Sequence, residues 1–338
     1  MKAVEIQKFG LEHLTIVERP DLTPGPGKLV VKVRATSLNA RDVLMAKGHY
    51  NPRQKLPLVP VSDGVGEVIA IGAGVERVKV GERVAGCFMQ DYPSPPVPRD
   101  AKHLRSTLGG PIDGMLAEQV VLSEQGVVPV PEYLSDVEAA TLPCAALTAW
   151  SALVNYGHLR AGDTVVVQGT GGVAIFALQI AKIMGARVIA TSSSDAKLER
   201  AKALGADAVV NYQSTPEWSK EVKKLTDGGA DHVIDVGGSA TLPQALGAVR
   251  AGGTISVIGV LGGVKAEIEA TSILMRGVRL QGVFVGSRAE FVDMNRALAQ
   301  HRLKPVVDRT FAFSDAREAF EHMAAAKHFG KIAITVGS

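Results

Sequence analysis

The sequence predicts an α/β protein in which a doubly wound parallel sheet is joined to a separate β-rich domain. Three observations predict it. A glycine-rich turn lies between a short apolar strand and a long apolar helix in residues 164–184. Strand-like and helical stretches then alternate as far as residue 285. The first third of the chain has short strands and glycine turns but no such alternation.

Taken in order, Met1–Arg19 and Lys28–Ser37 read as β structure, linked by the turn-rich Pro20–Gly27. Leu29–Ala35 is a strand, and Asn39–Lys47 suits a short helix. Gly64–Gly72, Val78–Ala85, Ala117–Val121 and Val127–Val130 read as further strands, which together would make a partly open barrel. Gln90–Pro111 holds five prolines and has no period. A loop of that length is either a lid or binding loop, or an inert surface excursion. Ser135–Tyr156 is helical in pattern, with Pro143 as an expected break.

The chain is organised around the next stretch. Thr164–Gln168 is a buried strand, followed at once by Gly169, Gly171 and Gly172. A helix follows from Val173 to Met184, closed by Gly185, and then a second strand, Arg187–Thr191. The turn spells G-x-G-x-x-A, ending on Ala174, inside a strand–helix–strand unit. Such a turn brings backbone N–H groups and the positive end of a helix dipole up to a pyrophosphate. Gly169, Gly171, Gly172 and Val173 are therefore candidate cofactor contacts.

The end of the second strand bears on which dinucleotide binds. An NAD site places a carboxylate there for the ribose 2′-hydroxyl; this chain has Ser192 and Ser193. Asp195 reads as the N-cap of the following helix, Ala196–Leu204. Lys197 is either an ordinary surface lysine or, with Ser192 and Ser193, part of a site for a 2′-phosphate. With no carboxylate to repel that phosphate, the expected cofactor is NADPH (NADP). Later strands are Ala208–Asn211, His232–Val236, Thr254–Gly259 and Arg279–Val285, with helices such as Pro216–Leu225 and Leu242–Val249 between them. Gly259 and Val285, at strand ends where ligands of such sheets bind, join the candidate contacts. Arg288–Gln300 (helix), Pro305–Phe313 (strand), Asp315–Ala326 (helix) and Lys331–Val336 (strand) form a tail expected to return to the first domain.

Length suits two domains, and 46% hydrophobic with 21% charged residues suits an ordinary globular protein. A net charge of +3 gives no argument for nucleic acid. No apolar run is long enough for a membrane span, and Met1–Gly10 lacks a signal-peptide core, so a cytoplasmic protein is expected. Two cysteines, Cys87 and Cys144, cannot form a disulfide framework.

Several ordered motifs carry a resemblance over the whole length. They are Leu38–Asp42 (LNARD), Asp63–Val68 (DGVGEV), Val80–Val84 (VGERV), Leu142–Trp150 (LPCAALTAW), the glycine turn, and Leu198–Tyr212 (LERAKALGADAVVNY). With them the chain resembles the medium-chain dehydrogenase/reductase superfamily. The resemblance implies a GroES-like domain at residues 1–125, completed by 298–338, and a Rossmann domain at 126–297. It implies a small-molecule substrate and a homodimer through Arg279–Val285. It also implies roles for Thr148 beside the nicotinamide ribose and Tyr212 near the adenosine phosphate. Lys331 is either a cofactor contact or a surface lysine.

Zinc alcohol dehydrogenases of that superfamily have Cys where this chain has Asn39, and His-Glu where it has Ser62–Asp63. Only Cys144 keeps a donor, and one thiol cannot make a tetrahedral N/S site. No cysteine lies in Gln90–Pro111 for a structural zinc. No metal is expected, and the chain looks more like the zinc-independent quinone oxidoreductase and alkenal reductase branches. Without a Lewis acid, conjugate or quinone reduction makes fewer demands than alcohol oxidation, because hydrogen-bond donors can meet the enolate or phenolate. Asn39, Arg41 and Tyr50 are the candidate donors. Each has a plain alternative: Asn39 bonding its own loop, Arg41 pairing with Asp42, Tyr50 packing beneath the loop. His49 is a weaker candidate. An alcohol or aldehyde dehydrogenase and a non-catalytic, crystallin-like nucleotide-binding protein remain alternatives.

Overall fold

In the computed structural model, which describes residues 1–337, the chain forms two compact units. One comprises Met1–Leu147 and the tail from Gly286; the other is Thr148–Val285. Residues 126–147 and 286–297, expected in the nucleotide domain, thus pack with the first unit. Specific bonds hold them there. The Tyr133 hydroxyl is shared between the carbonyl oxygens of Leu298 (2.9 Å) and Leu303 (2.8 Å), and Asn295 Nδ2 donates to Pro129 O at 3.2 Å.

The first unit begins with an antiparallel pair, β1 (Lys2–Ile6) and β2 (Leu14–Glu18). Its main sheet contains β3 (Lys28–Leu38), β4 (Asp63–Ile71), β5 (Arg83–Gly86), β6 (Gln119–Ser123) and β7 (Val127–Pro129). β3 is central and pairs antiparallel with both β4 and β6. β5 is shorter than the expected 78–85, because only its last residues find a ladder partner on β4 and β7. Residues 90–111 are held at both ends. Gln90 Nε2 donates to Cys87 O (2.9 Å) and Gly126 O (2.8 Å), while Gln90 Oε1 accepts from Ser123 N (2.9 Å). Lys102–Ser106 forms a 3-10 turn, and Thr107 bridges back to Met89.

The expected helix at 135–156 is broken up. α-helical turns at Asp136–Ala139 and Leu147–Trp150 alternate with π-helical turns at Leu142–Ala146 and Ser151–Asn155. Pro143 sits in the first turn of one of these, where its missing N–H costs nothing.

The second unit is a six-stranded parallel sheet: β8 (Thr164–Gln168), β9 (Arg187–Ser192), β10 (Ala208–Asn211), β11 (Ala230–Asp235), β12 (Val249–Val257) and β13 (Arg279–Gly282). Their order is β10-β9-β8-β11-β12-β13, the doubly wound arrangement. Val166, Ile189, Val233 and Ile255, one from each of four adjacent strands, are fully buried together with Val222. β13 is an edge strand and stops at Gly282, before the expected Val285, where its register with β12 runs out.

The tail adds the helix Arg288–His301, then β14 (Val307–Ala312) and β15 (Lys331–Thr335), returning to the first unit as expected. β15 pairs antiparallel with β3, placing Ile332 opposite Leu38, while Ser37 faces Asp63 of β4. The end of β3 and the starts of β4 and β15 therefore meet at one place in the sheet. No described helix is long and apolar enough to cross a membrane.

Candidate functional site

That junction carries the polar cluster. Asn39 follows β3 and opens the helix Ala40–Ala46, whose Asp42 accepts the Asn39 backbone N–H at 2.8 Å. Ser62 and Asp63 are delivered by Val61, whose φ of +74° puts a β-branched residue in the left-handed region. Such strain costs about 1–3 kcal/mol and persists only where the surroundings enforce it. Met115 N–H holds Val61 O at 2.7 Å. A Cβ on Gly114 would lie 2.2 Å from that oxygen, so the segment closes only around glycine.

Lys331, at the start of β15, is not a surface lysine: it is 2% exposed. Its ammonium donates to Leu38 O and to Asn39 Oδ1, both at 2.6 Å. Asn39 Nδ2 faces Ser62 Oγ at 3.4 Å, and Ser62 Oγ donates to Asp63 Oδ1 at 2.7 Å. Asp63 Oδ2 accepts the Cys144 backbone N–H at 3.1 Å. Burial pushes the Asp63 carboxyl up to about 6, against the pull of Lys331 and Asn39. Burial, with Asp63 beside it, drives the Cys144 thiol far above its usual range, so it stays protonated.

Arg41 lies beside this group. Its Nη1 donates to Asp42 Oδ1 (3.1 Å), Leu108 O (3.0 Å) and Gly109 O (2.9 Å). The pairing with Asp42 is thus present, but it uses one nitrogen. Nε and Nη2, both buried, make no well-aligned hydrogen bond among the described residues, and the Tyr50 hydroxyl is the group the guanidinium draws on. The guanidinium also sits 5.1 Å from the Tyr50 ring centroid and 5.4 Å from that of Phe88. Tyr50 is partly exposed; desolvation raises its phenol pKa, and Arg41 pulls the other way. Asn39, Arg41 and Tyr50 fall in one neighbourhood, as their sequence proximity implies. Asp42, Ser62 and Asp63 complete it. The buried acid in the DGVGEV motif was a readable signal for Asp63; nothing local marked the bond from Lys331 to Asn39.

In the second unit, Gly169 has φ +79° and its N–H donates to Thr191 O at 2.8 Å. The helix Gly172–Ile183 starts after Gly171 with no side-chain cap, which leaves its first N–H groups, Val173 included, for an anion. This fits a dinucleotide pyrophosphate. Ser192 ends β9, is buried, and its Oγ accepts from Ser194 N at 3.3 Å. The N-cap of the following helix, Asp195–Ala203, is Ser194 rather than Asp195: Ser194 Oγ accepts from Lys197 N at 3.4 Å. Asp195 instead takes Asn211 Nδ2 at 2.7 Å, because its side chain turns toward the end of β10. Ser193 and Lys197 are half-buried, and Tyr212 is exposed with its N–H on Ser192 O at 3.1 Å. Thr148 is buried on the broken helical stretch, Gly259 lies just past β12, and Val285 has φ +56°. Asp235, at the end of β11, went unread in the sequence. It accepts Gly238 N (2.9 Å) and the Thr241 hydroxyl, bracing the glycine turn at that strand end.

Residues 25–132 match the family model described as alcohol dehydrogenase GroES-like domain, and residues 172–300 match that of zinc-binding dehydrogenase. A zinc-type alcohol dehydrogenase-like protein of Schizosaccharomyces pombe is 42% identical over 92% of this chain and 91% of its own length. The crystal structure of a putative alcohol dehydrogenase from Sinorhizobium meliloti superposes with a TM-score of 0.92 at 42% identity, covering 99% of this chain and 98% of that one. A structure described as an NAD-dependent alcohol dehydrogenase gives 0.90 at 36% identity, with both chains fully covered. The chain belongs to the medium-chain dehydrogenase/reductase superfamily, among its zinc-type alcohol dehydrogenase-like members, and is an oxidoreductase of this nicotinamide-dependent family.

Proposed function

We propose that this oxidoreductase reduces a quinone or an activated alkene with NADPH and without zinc. The observation that carries the reading is the bond from the Lys331 ammonium to Asn39 Oδ1 at 2.6 Å. Asn39 stands where the metal-dependent relatives have a cysteine ligand, and its oxygen is already held by a cation. Asp63 spends its oxygens on Ser62 and the Cys144 N–H, and the described residues hold no group of three His, Cys, Asp or Glu side chains placed for a metal ion. Zinc requires free, deprotonated donors in tetrahedral array, and this set does not fit it.

The bound cofactor would supply a hydride. Backbone N–H groups of Gly171–Val173, at the uncapped start of the helix, would hold its pyrophosphate. Ser192 and Ser193, with Lys197, leave room for a 2′-phosphate and offer no carboxylate to repel it, which supports NADPH over NADH. As the β-carbon of an enal or a quinone carbon is reduced, an electron pair moves to the acceptor's oxygen. The amide Nδ2 of Asn39, the Nε and Nη2 groups of Arg41 and the Tyr50 hydroxyl are the donors for that charge. The proton that completes the reduction comes from solvent.

We further infer a homodimer through β13. Its edge is unpaired among the described strands, and Val264, Leu274 and Met275 nearby in sequence are each more than 75% exposed.

A stopped-flow screen of NADPH oxidation tests the reaction. A para-quinone or a 2-alkenal should be reduced, while ethanol with NADP should give little turnover, because nothing lowers the alcohol's pKa. Faster oxidation of ethanol than reduction of any quinone or enal would instead favour the alcohol dehydrogenase reading, to which the similarity with the NAD-dependent alcohol dehydrogenase structure points.

A further inference from the structure

Lys331 is buried, and a buried ammonium is costly unless its protons are used. Two of them go to Leu38 O and Asn39 Oδ1. An ammonium donates only, so Asn39 must turn its oxygen toward Lys331 and its amide nitrogen away. Nδ2 then faces Ser62 Oγ, whose own proton goes to Asp63. The chain of bonds runs in one direction, from ammonium through amide and hydroxyl to carboxylate. Each group donates to the next, so each bond polarises its neighbour. The Nδ2 bond to Ser62 is long, at 3.4 Å, and Asp63 also draws on the amide, so neither contact saturates the nitrogen.

We propose that Lys331 is a positioning residue that acts through Asn39. It fixes the amide's orientation and polarises it, so that Nδ2 is presented as a strengthened donor that can turn from its long contacts to the acceptor oxygen. Lys331 thereby supplies the fixed positive charge at the place where metal-dependent relatives hold zinc. Neither residue gives up its proton: Asn39 donates a hydrogen bond and nothing is transferred. The inference rests on the reading of Asn39 as a donor to the reduced acceptor.

The test uses the full-length protein and three variants, each assayed for kcat and KM with a 2-alkenal and for NADPH affinity. Lys331→Met should lower kcat by about a hundred- to a thousandfold, the usual effect of losing one preorganised donor, with NADPH affinity unchanged. Asn39→Asp keeps the ammonium paired but removes the amide protons, and should lose kcat to a similar degree. Lys331→Ala, purified with ethylammonium present, should lose activity when the ion is removed and regain it on return. Tetramethylammonium, which has no N–H, should restore nothing, and ethylammonium should not rescue Asn39→Asp. A direct readout separates this inference from the reaction itself. In protein labelled with ¹⁵N-asparagine, the side-chain signal that Asn39→Asp removes should shift in Lys331→Ala and return with ethylammonium. If that signal does not move, or if a folded Lys331→Met keeps kcat within about threefold of the parent, the inference is overturned. If the parent protein reduces neither quinones nor enals but the Asn39 signal responds to Lys331 as described, the reaction reading fails and the positioning stands.

Discussion

Asp63 is fully buried with its carboxyl pushed up to about 6, so its charge state changes within a range where the protein can be handled. The folded chain holds this proton more tightly than the unfolded chain, whose Asp titrates at 3.8. The stability this adds is fully present below about pH 4 and is lost as pH rises through about 6. Asp63→Asn has nothing to titrate there. Relative to the parent, the variant should therefore gain on the order of 3 kcal/mol in unfolding free energy between those pH values. Denaturant unfolding of both proteins at pH 4, 5, 6 and 7 checks this, and a difference that stays flat across that range contradicts the burial argument. At this scale the sequence was partly readable. Asn39 drew notice because its type departs from a metal-binding pattern, and Arg41 because it is a hydrogen-bond donor in the same segment. Lys331 reads as a cofactor contact or a surface lysine, and its bond to Asn39 went unread, because that partner lies 292 residues away and only the pairing of β15 with β3 brings them together.

At the scale of elements, the glycine turn and β9 set the cofactor expectation. If Ser192 leaves space for a 2′-phosphate, NADPH should bind more tightly than NADH, and Ser192→Asp should reverse that order by placing a carboxylate against the phosphate. Calorimetric titration of both cofactors into parent and variant checks it; equal affinities in the parent would contradict it. The strands of this sheet were legible because both faces are covered, so they read as short apolar runs between glycines. Their ends were not. Residues 78–82 and 283–285 keep a strand-like composition, but the ladder of β5 begins only at Arg83 and that of β13 ends at Gly282. Likewise, Asp195 and Ser194 are both good caps by type, and only the direction of the side chains separates them.

At the scale of the molecule, the tail's return to the first unit was readable from the completed second sheet, whereas the cuts at 147 and 285 were not. Those cuts depend on bonds such as Tyr133 to Leu298, which no local pattern announces. Assembly through β13 predicts a particle of twice the 35.5 kDa chain mass in light scattering at micromolar concentration. Replacing Leu274 and Met275 together by Glu should shift it toward monomer while leaving the fold intact, since both side chains are about four-fifths exposed. A parent protein that is monomeric under those conditions contradicts the dimer.

In the proposed reaction a lysine, an asparagine and a buried aspartate stand in the place of a metal centre. Elemental analysis of protein purified without chelators, and shown to oxidise NADPH with a 2-alkenal, tests it most directly. Zinc should be far below one atom per chain in that active preparation. About one zinc per chain, the occupancy of a genuine catalytic site, lost together with activity on chelation, would contradict it.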